Sequence, residues 1–129
     1  GIRLVEPLRP DGSATLVDAQ GRCEVAAIDG TVSDWMHVCG HLTRDHQAGM
    51  ACFLYPSTGN AVWGVHPWGT IDINPLRHEP CVLTVGQHVE YGIRLVAHDG
   101  PLAASQVTGF HRDFCATPVG DWADLAESV

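Results

Sequence analysis

Short apolar runs cut apart by turn-forming pairs constrain this chain more than any other feature of its sequence. Residues 14–18 and 23–28 are bracketed by Asp11-Gly12, Gln20-Gly21 and Asp29-Gly30, the punctuation of antiparallel β-structure. Residues 31–39 and 48–55 read as the next strands, with a polar connection at 40–47, and Ile2, Leu4 and Leu8 read as a further one. Residues 61–65 and 70–73 are two short strands separated by His66-Pro67-Trp68-Gly69; proline cannot donate to a central ladder, which puts that tetrapeptide in a loop or bulge. Residues 81–85 and 88–97 close the sheet region across Gly86-Gln87. In the last strand Val89, Tyr91, Ile93 and Leu95 share one face and His88, Glu90, Gly92 and Arg94 the other, the alternation of a half-buried strand.

After Asp99-Gly100 the pattern changes. Residues 101–109 read as a short helix, with Asp99 as N-cap and Pro101 near its first turn, and residues 121–128 as a second, with Trp122 and Leu125 at i, i+3. The expected fold is therefore all-β: an antiparallel β-sandwich with one or two short C-terminal helices. At 129 residues the chain has room for one domain, 1–129, with one modest core.

Charge removes whole classes of mechanism. Seven Arg, no Lys and fifteen acidic residues give a formal charge of −8. Without lysine the chain has no Schiff base, no P-loop lysine and no Ser-Lys dyad. An acidic surface with scattered Arg does not follow a phosphate backbone, so neither nucleic acid nor an anionic membrane is an expected partner. No apolar run reaches membrane-spanning length and no leader is evident, so a soluble, cytoplasmic protein is the expectation. Cys23, Cys39, Cys52, Cys81 and Cys115 are odd in number and form no CxxC pair, which favours buried free thiols in a reducing compartment. Gly1 in place of Met reads as a tag remnant or as an end left by cleavage of a precursor.

Eight histidines remain as the chemistry-bearing surplus. His37, His41 and His46 lie close in sequence, but Gly40 and the β-branched flanks argue for a strand ending in a loop, so they do not share a helix face; no metal site and no cofactor are expected. Cys39 alternates in phase with Trp35 and His37 and faces whatever they face. Trp63 and Trp68 flank His66 on a Gly/Pro-rich turn, with Asn74-Pro75 downstream. Indole faces beside a few polar groups suit a small-molecule edge, and the alternative is that both indoles cap the core. On this reading His66 and His37 are the acid/base candidates, and Trp63, Trp68, Asn74 and Trp35 the substrate-binding ones.

Four segments in order carry a family resemblance: Trp35-Met36-His37-Val38-Cys39-Gly40, then Ala48-Gly49-Met50-Ala51-Cys52-Phe53-Leu54-Tyr55-Pro56, then Trp63-Gly64-Val65-His66-Pro67-Trp68-Gly69 leading to Asn74-Pro75, and finally Tyr91-Gly92-Ile93-Arg94-Leu95-Val96-Ala97-His98-Asp99-Gly100. Together they resemble the C-terminal half of a bacterial family of uncertain function labelled methane oxygenase PmoA. The family's polar residues in these segments are largely replaced, with His37, Cys39, Leu54, Tyr55, Gly64, His66 and Pro67 standing in their places. The resemblance thus implies an altered substrate or a lost activity. It also implies that the chain is one half of a larger protein, completed by a second polypeptide carrying the missing N-terminal half, or by a homo-oligomer. Two functions follow as expectations. One is a small-molecule-processing enzyme or enzyme subunit using histidine acid/base chemistry on a sugar-like or polyketide-like substrate. The other is a non-catalytic ligand-binding or subunit-interface module.

Overall fold

A computed structural model describes residues 1–56, 61–89 and 91–117 of the chain. Seven strands are present among them: β1 (Ile2–Arg3), β2 (Thr15–Asp18), β3 (Trp35–Thr43), β4 (His46–Leu54), β5 (Val62–Val65), β6 (Thr70–Asn74) and β7 (Ile93–Asp99). They form two antiparallel sheets of order β1-β6-β5 and β2-β3-β4-β7. The sheets face each other as a β-sandwich, and a helix, α2 (Ala104–Ala116), packs on the outer face of the four-stranded sheet.

Alternation along the strands builds two cores. Leu16, Met36, Val38, Cys52 and Leu54 point at Trp63, Val65 and Ile71 of the opposite sheet, with Leu4 and Ile28 closing the ends. The other parity, Trp35, Ala51 and Phe53, is covered by Val107 and Phe114 of α2, seven residues apart on one helical face. Each large side chain buried in this way stabilises the fold by about 1.5–3 kcal/mol.

The structure changes several expectations. Residues 23–28 do not form a strand: Val25–Ile28 is a single helical turn, α1, which drops Ile28 into the core and closes with the Asp29 amide donating to the Val25 carbonyl at 2.8 Å. An apolar run this short carries no period that separates strand from helix. The segment around Leu4 and Leu8 pairs only through Ile2–Arg3, after which Pro7 sits in a 3-10 turn, Glu6–Leu8. Residues 40–47 are an extension of the hairpin rather than a connection, with Thr43 opposite His46 and a register shift between His41 and Thr43. Once Trp35 to Cys39 are registered against Gly49 to Phe53, polar residues continue the ladder without needing a core. The helix after Gly100 starts three residues later than expected and runs on to Ala116; Asp99 ends β7 instead of capping it, and the Ala103 amide donates to the Gln106 Oε1 at 2.9 Å. The expected helix at 121–128 lies outside the described residues.

The largest correction concerns the closing strand. Residues 81–89 and 91–92 belong to no strand, and within β7 the apolar parity is the open one: Ile93 and Leu95 are 47% and 49% exposed. Arg94, Val96 and His98 are the partly buried ones. Alternation identifies which residues share a face, but coverage decides which face is dry. Here β7 is an edge strand whose inward apolar residues are left partly uncovered.

One glycine position is dictated by close approach. The 3-10 turn crosses β3 at Gly40, where a methyl group would collide with the Pro7 carbonyl oxygen. Gly40→Ala is expected to lower the unfolding free energy by about 1–3 kcal/mol, the usual cost of overpacking, read as a reduced urea midpoint at unchanged m-value. An unchanged midpoint would mean that the turn does not sit against β3.

Candidate functional site

The four-stranded sheet positions its functional side chains by register. His37 on β3 lies opposite Ala51 on β4, while Cys39 lies opposite Gly49, which in turn lies opposite His98 on β7. All project to the side that α2 covers at its Trp35 and Phe53 end. Beyond the helix-covered part, Gly49 has no side chain, and the His98 imidazole occupies the space that one would take. The ring thereby reaches across β4 to β3, where His98 Nε2 and His37 Nε2 are 2.8 Å apart and the ring centroids 5.0 Å apart. His37 is 5% exposed. The rim is polar: Thr15 and His41 are exposed and Gln47 half-buried.

The tautomers follow from the hydrogen bonds. His98 Nδ1 is 2.9 Å from the Gly100 carbonyl oxygen. A carbonyl only accepts, so Nδ1 carries the proton. In neutral His98 the Nε2 is then an acceptor, and His37 must donate its Nε2–H to it. That leaves His37 Nδ1 without a proton and able to take one. Burial lowers the His37 pKa to about 4, with a smaller contribution from the charge of His98, so His37 is held neutral around pH 7. Cys39, in the same row, is a thiol rather than a thiolate: burial raises its pKa against the hydrogen bonds from Gln47 and Gly40. Burial likewise pushes Cys52 up to about 12. All five cysteines are unpaired. Among the described residues no group of three or more His, Cys, Asp or Glu is arranged to hold a metal ion.

The sequence-selected residues do not converge on one place. Trp35 is buried beneath α2, and Trp63 is buried between the sheets with its indole N–H donating to the Ser33 carbonyl at 2.8 Å. His66 and Trp68 sit on the β5–β6 turn of the other sheet. Their rings stack 8° from parallel at 4.5 Å, and Trp68 is 51% exposed. Asn74 accepts the Leu76 amide at 3.0 Å and borders a separate cleft of about 220 Å³ with Pro75, His78 and Glu79. His37 and His66 therefore belong to different sheets and share no site. Behind His66, Asp29 is held at a pKa of about 2, chiefly by its hydrogen bonds with Arg77, whose guanidinium donates to both carboxylate oxygens at 2.7 and 2.8 Å.

His98 and Gly49 are the members that sequence reasoning missed. The available signal was the glycine inside an otherwise apolar strand, which marks a close approach.

The depressed His37 pKa has a consequence for stability. The unfolded chain binds a proton near the ordinary value of 6.5 that the folded chain refuses until about 4. The contribution is thus fully present above pH 6.5 and is lost as pH falls through that window, on the order of 3 kcal/mol in total. Urea midpoints measured from pH 7 to pH 4 should fall for the wild type and flatten for His37→Gln. Equal slopes would show that His37 is not the group responsible.

Residues 1–111 match the family described as "Family of unknown function (DUF6807)". No curated protein and no solved structure matches the chain. With most of its length inside that match, the chain belongs to this family of unknown function.

Proposed function

We propose that this chain supplies a histidine acid/base centre to a small-molecule-processing protein, with the His37–His98 pair as its proton-handling group. The observation that carries the reading is the 2.8 Å contact between the two Nε2 atoms together with the fixed proton on His98 Nδ1. A proton taken from a substrate lands on His37 Nδ1. His37 then passes its Nε2 proton along the hydrogen bond, and the positive charge settles on His98, the less buried ring, whose Nδ1–H faces the Gly100 carbonyl. The base sits in a dry position while its charge does not.

The substrate class is sugar-like or polyketide-like. Both present hydroxyl groups and protons next to carbonyls, which a base held neutral at pH 7 can move. A cleft of about 510 Å³ runs along β2, the strand next to the one that carries His37, and is lined by Thr15, Leu16 and Val17 and by Cys23, Glu24 and Val25. His66 and Trp68, on the other sheet, take no part in this step.

The experiment is deuterium wash-in at the carbon next to the carbonyl, followed by proton NMR, with a panel of small hydroxyketones and 1,3-dicarbonyls in D₂O. The wild type should accelerate exchange for at least one compound, and His37→Gln should slow it by about 10²–10⁴-fold, the usual contribution of a positioned base. His66→Gln should leave it unchanged. Exchange at the buffer rate with the wild type, or equal rates for wild type and His37→Gln, would overturn the proposal.

A further inference from the structure

The histidine pair has a direction, and one backbone turn sets it. β7 ends at Asp99, and the chain leaves the sheet through Gly100 and Pro101. Gly100 is held at one end, its amide donating to the Gln47 carbonyl of β4 at 2.7 Å. From there its φ of 71° turns the chain, and the Gly100 carbonyl oxygen comes to lie 2.9 Å from His98 Nδ1. With the amide fixed, the torsions of this one residue decide where that oxygen points.

Only glycine adopts this conformation freely. A positive φ strains an L side chain, and a β-branched one most of all. Pro101 adds a second restriction, because the residue before a proline is pushed towards extended backbone at negative φ. Space is not the constraint: a Cβ at Gly100 would meet no atom within 4 Å, whereas at Gly40 and Gly49 it would collide. Gly100 is therefore a glycine for its torsions alone.

We infer that Gly100 is a positioning residue that decides which nitrogen of the His37–His98 pair is the base. Its chemical role rests on the acid/base reading proposed above; its geometry does not. While the carbonyl faces Nδ1, His98 keeps its proton there, His98 Nε2 accepts from His37, and the free lone pair is on His37 Nδ1. Without that carbonyl nothing holds the His98 proton at Nδ1. Once the proton is on Nε2, His98 becomes the donor across the 2.8 Å contact. His37 then offers a bare Nε2 and carries its own proton on Nδ1. Each ring still holds one proton, but the free lone pair has moved to His98 Nδ1 and the His37 base is blocked. A neighbouring contact supplies the rival explanation. His46 Nε2 and Asp99 Oδ1 are 2.9 Å apart beside the turn, yet the Asp99 side chain is 87% exposed, and an exposed pair of this kind fixes little.

Long-range proton–nitrogen NMR of the histidine rings in the isotope-labelled full chain reads the tautomers without any substrate, with His98→Gln and His37→Gln assigning the two rings. In alkaline buffer, where imidazole is neutral, the wild type should carry its protons on His98 Nδ1 and His37 Nε2. Gly100→Val should shift both rings towards the opposite tautomers, and Gly100→Asn, whose side chain tolerates left-handed backbone, should keep the wild-type pattern. Asp99→Asn should keep it too. In the deuterium assay Gly100→Val should slow exchange about fivefold or more, the weight of one ordinary hydrogen bond, and Gly100→Asn should restore the rate. Far-UV circular dichroism checks folding; if Gly100→Val does not fold, Gly100→Ala takes its place. A wild type with its proton on His98 Nε2, a folded Gly100→Val or Gly100→Ala with wild-type tautomers, or an Asp99→Asn variant that inverts them would each overturn the inference. Absence of exchange in the wild type would instead overturn the acid/base reading, and the tautomers would still decide the role of Gly100.

Discussion

The β3–β4 hairpin is the constraint on which the rest of the molecule depends. Its register sets Trp35 against Phe53, His37 against Ala51 and Cys39 against Gly49. A slip of one residue would turn one strand over relative to the other. Either Met36 and Val38 or Cys52 and Leu54 would leave the inter-sheet core, and Trp35 or Phe53 with them would leave the surface that α2 covers. Burial on both sides therefore locks the pairing twice, which explains how the hairpin holds together through its polar far end, where His41, Leu42 and Thr43 are exposed.

The histidine pair is a product of that register and of one missing side chain. His37 and His98 are separated by an intervening strand, and only the absence of a Cβ at Gly49 lets the His98 ring span it. The pair is also asymmetric. His98 is pinned by the Gly100 carbonyl at Nδ1, whereas burial keeps His37 from accepting charge easily. In the function proposed above, this unequal burial lets the buried ring take a proton while the more open ring carries the charge. The same burial makes Cys39 unsuitable as a resting nucleophile.

Incomplete coverage on one side of the sandwich shapes the remaining surface. The three-stranded sheet narrows to a two-residue β1, while the four-stranded sheet extends to β7. The mismatch exposes Ile93 and Leu95, and residues 81–85, expected as a strand, belong to none.

The β-class, most strand positions and the placement of His66 to Gly69 in a turn were legible because turn chemistry and alternation act locally, within a few residues. The phase of His37 and Cys39 was legible for the same reason. The helical turn at Val25–Ile28 escaped that reading, since four apolar residues carry no period. The union of His37 with His98 escaped it too, since the two are 61 residues apart and meet only through cross-strand register. By itself, then, the sequence determined which residues lie on a common face of each strand. Tertiary structure alone decided which face is covered, because burial depends on how far the opposing layer extends and no local pattern encodes that reach.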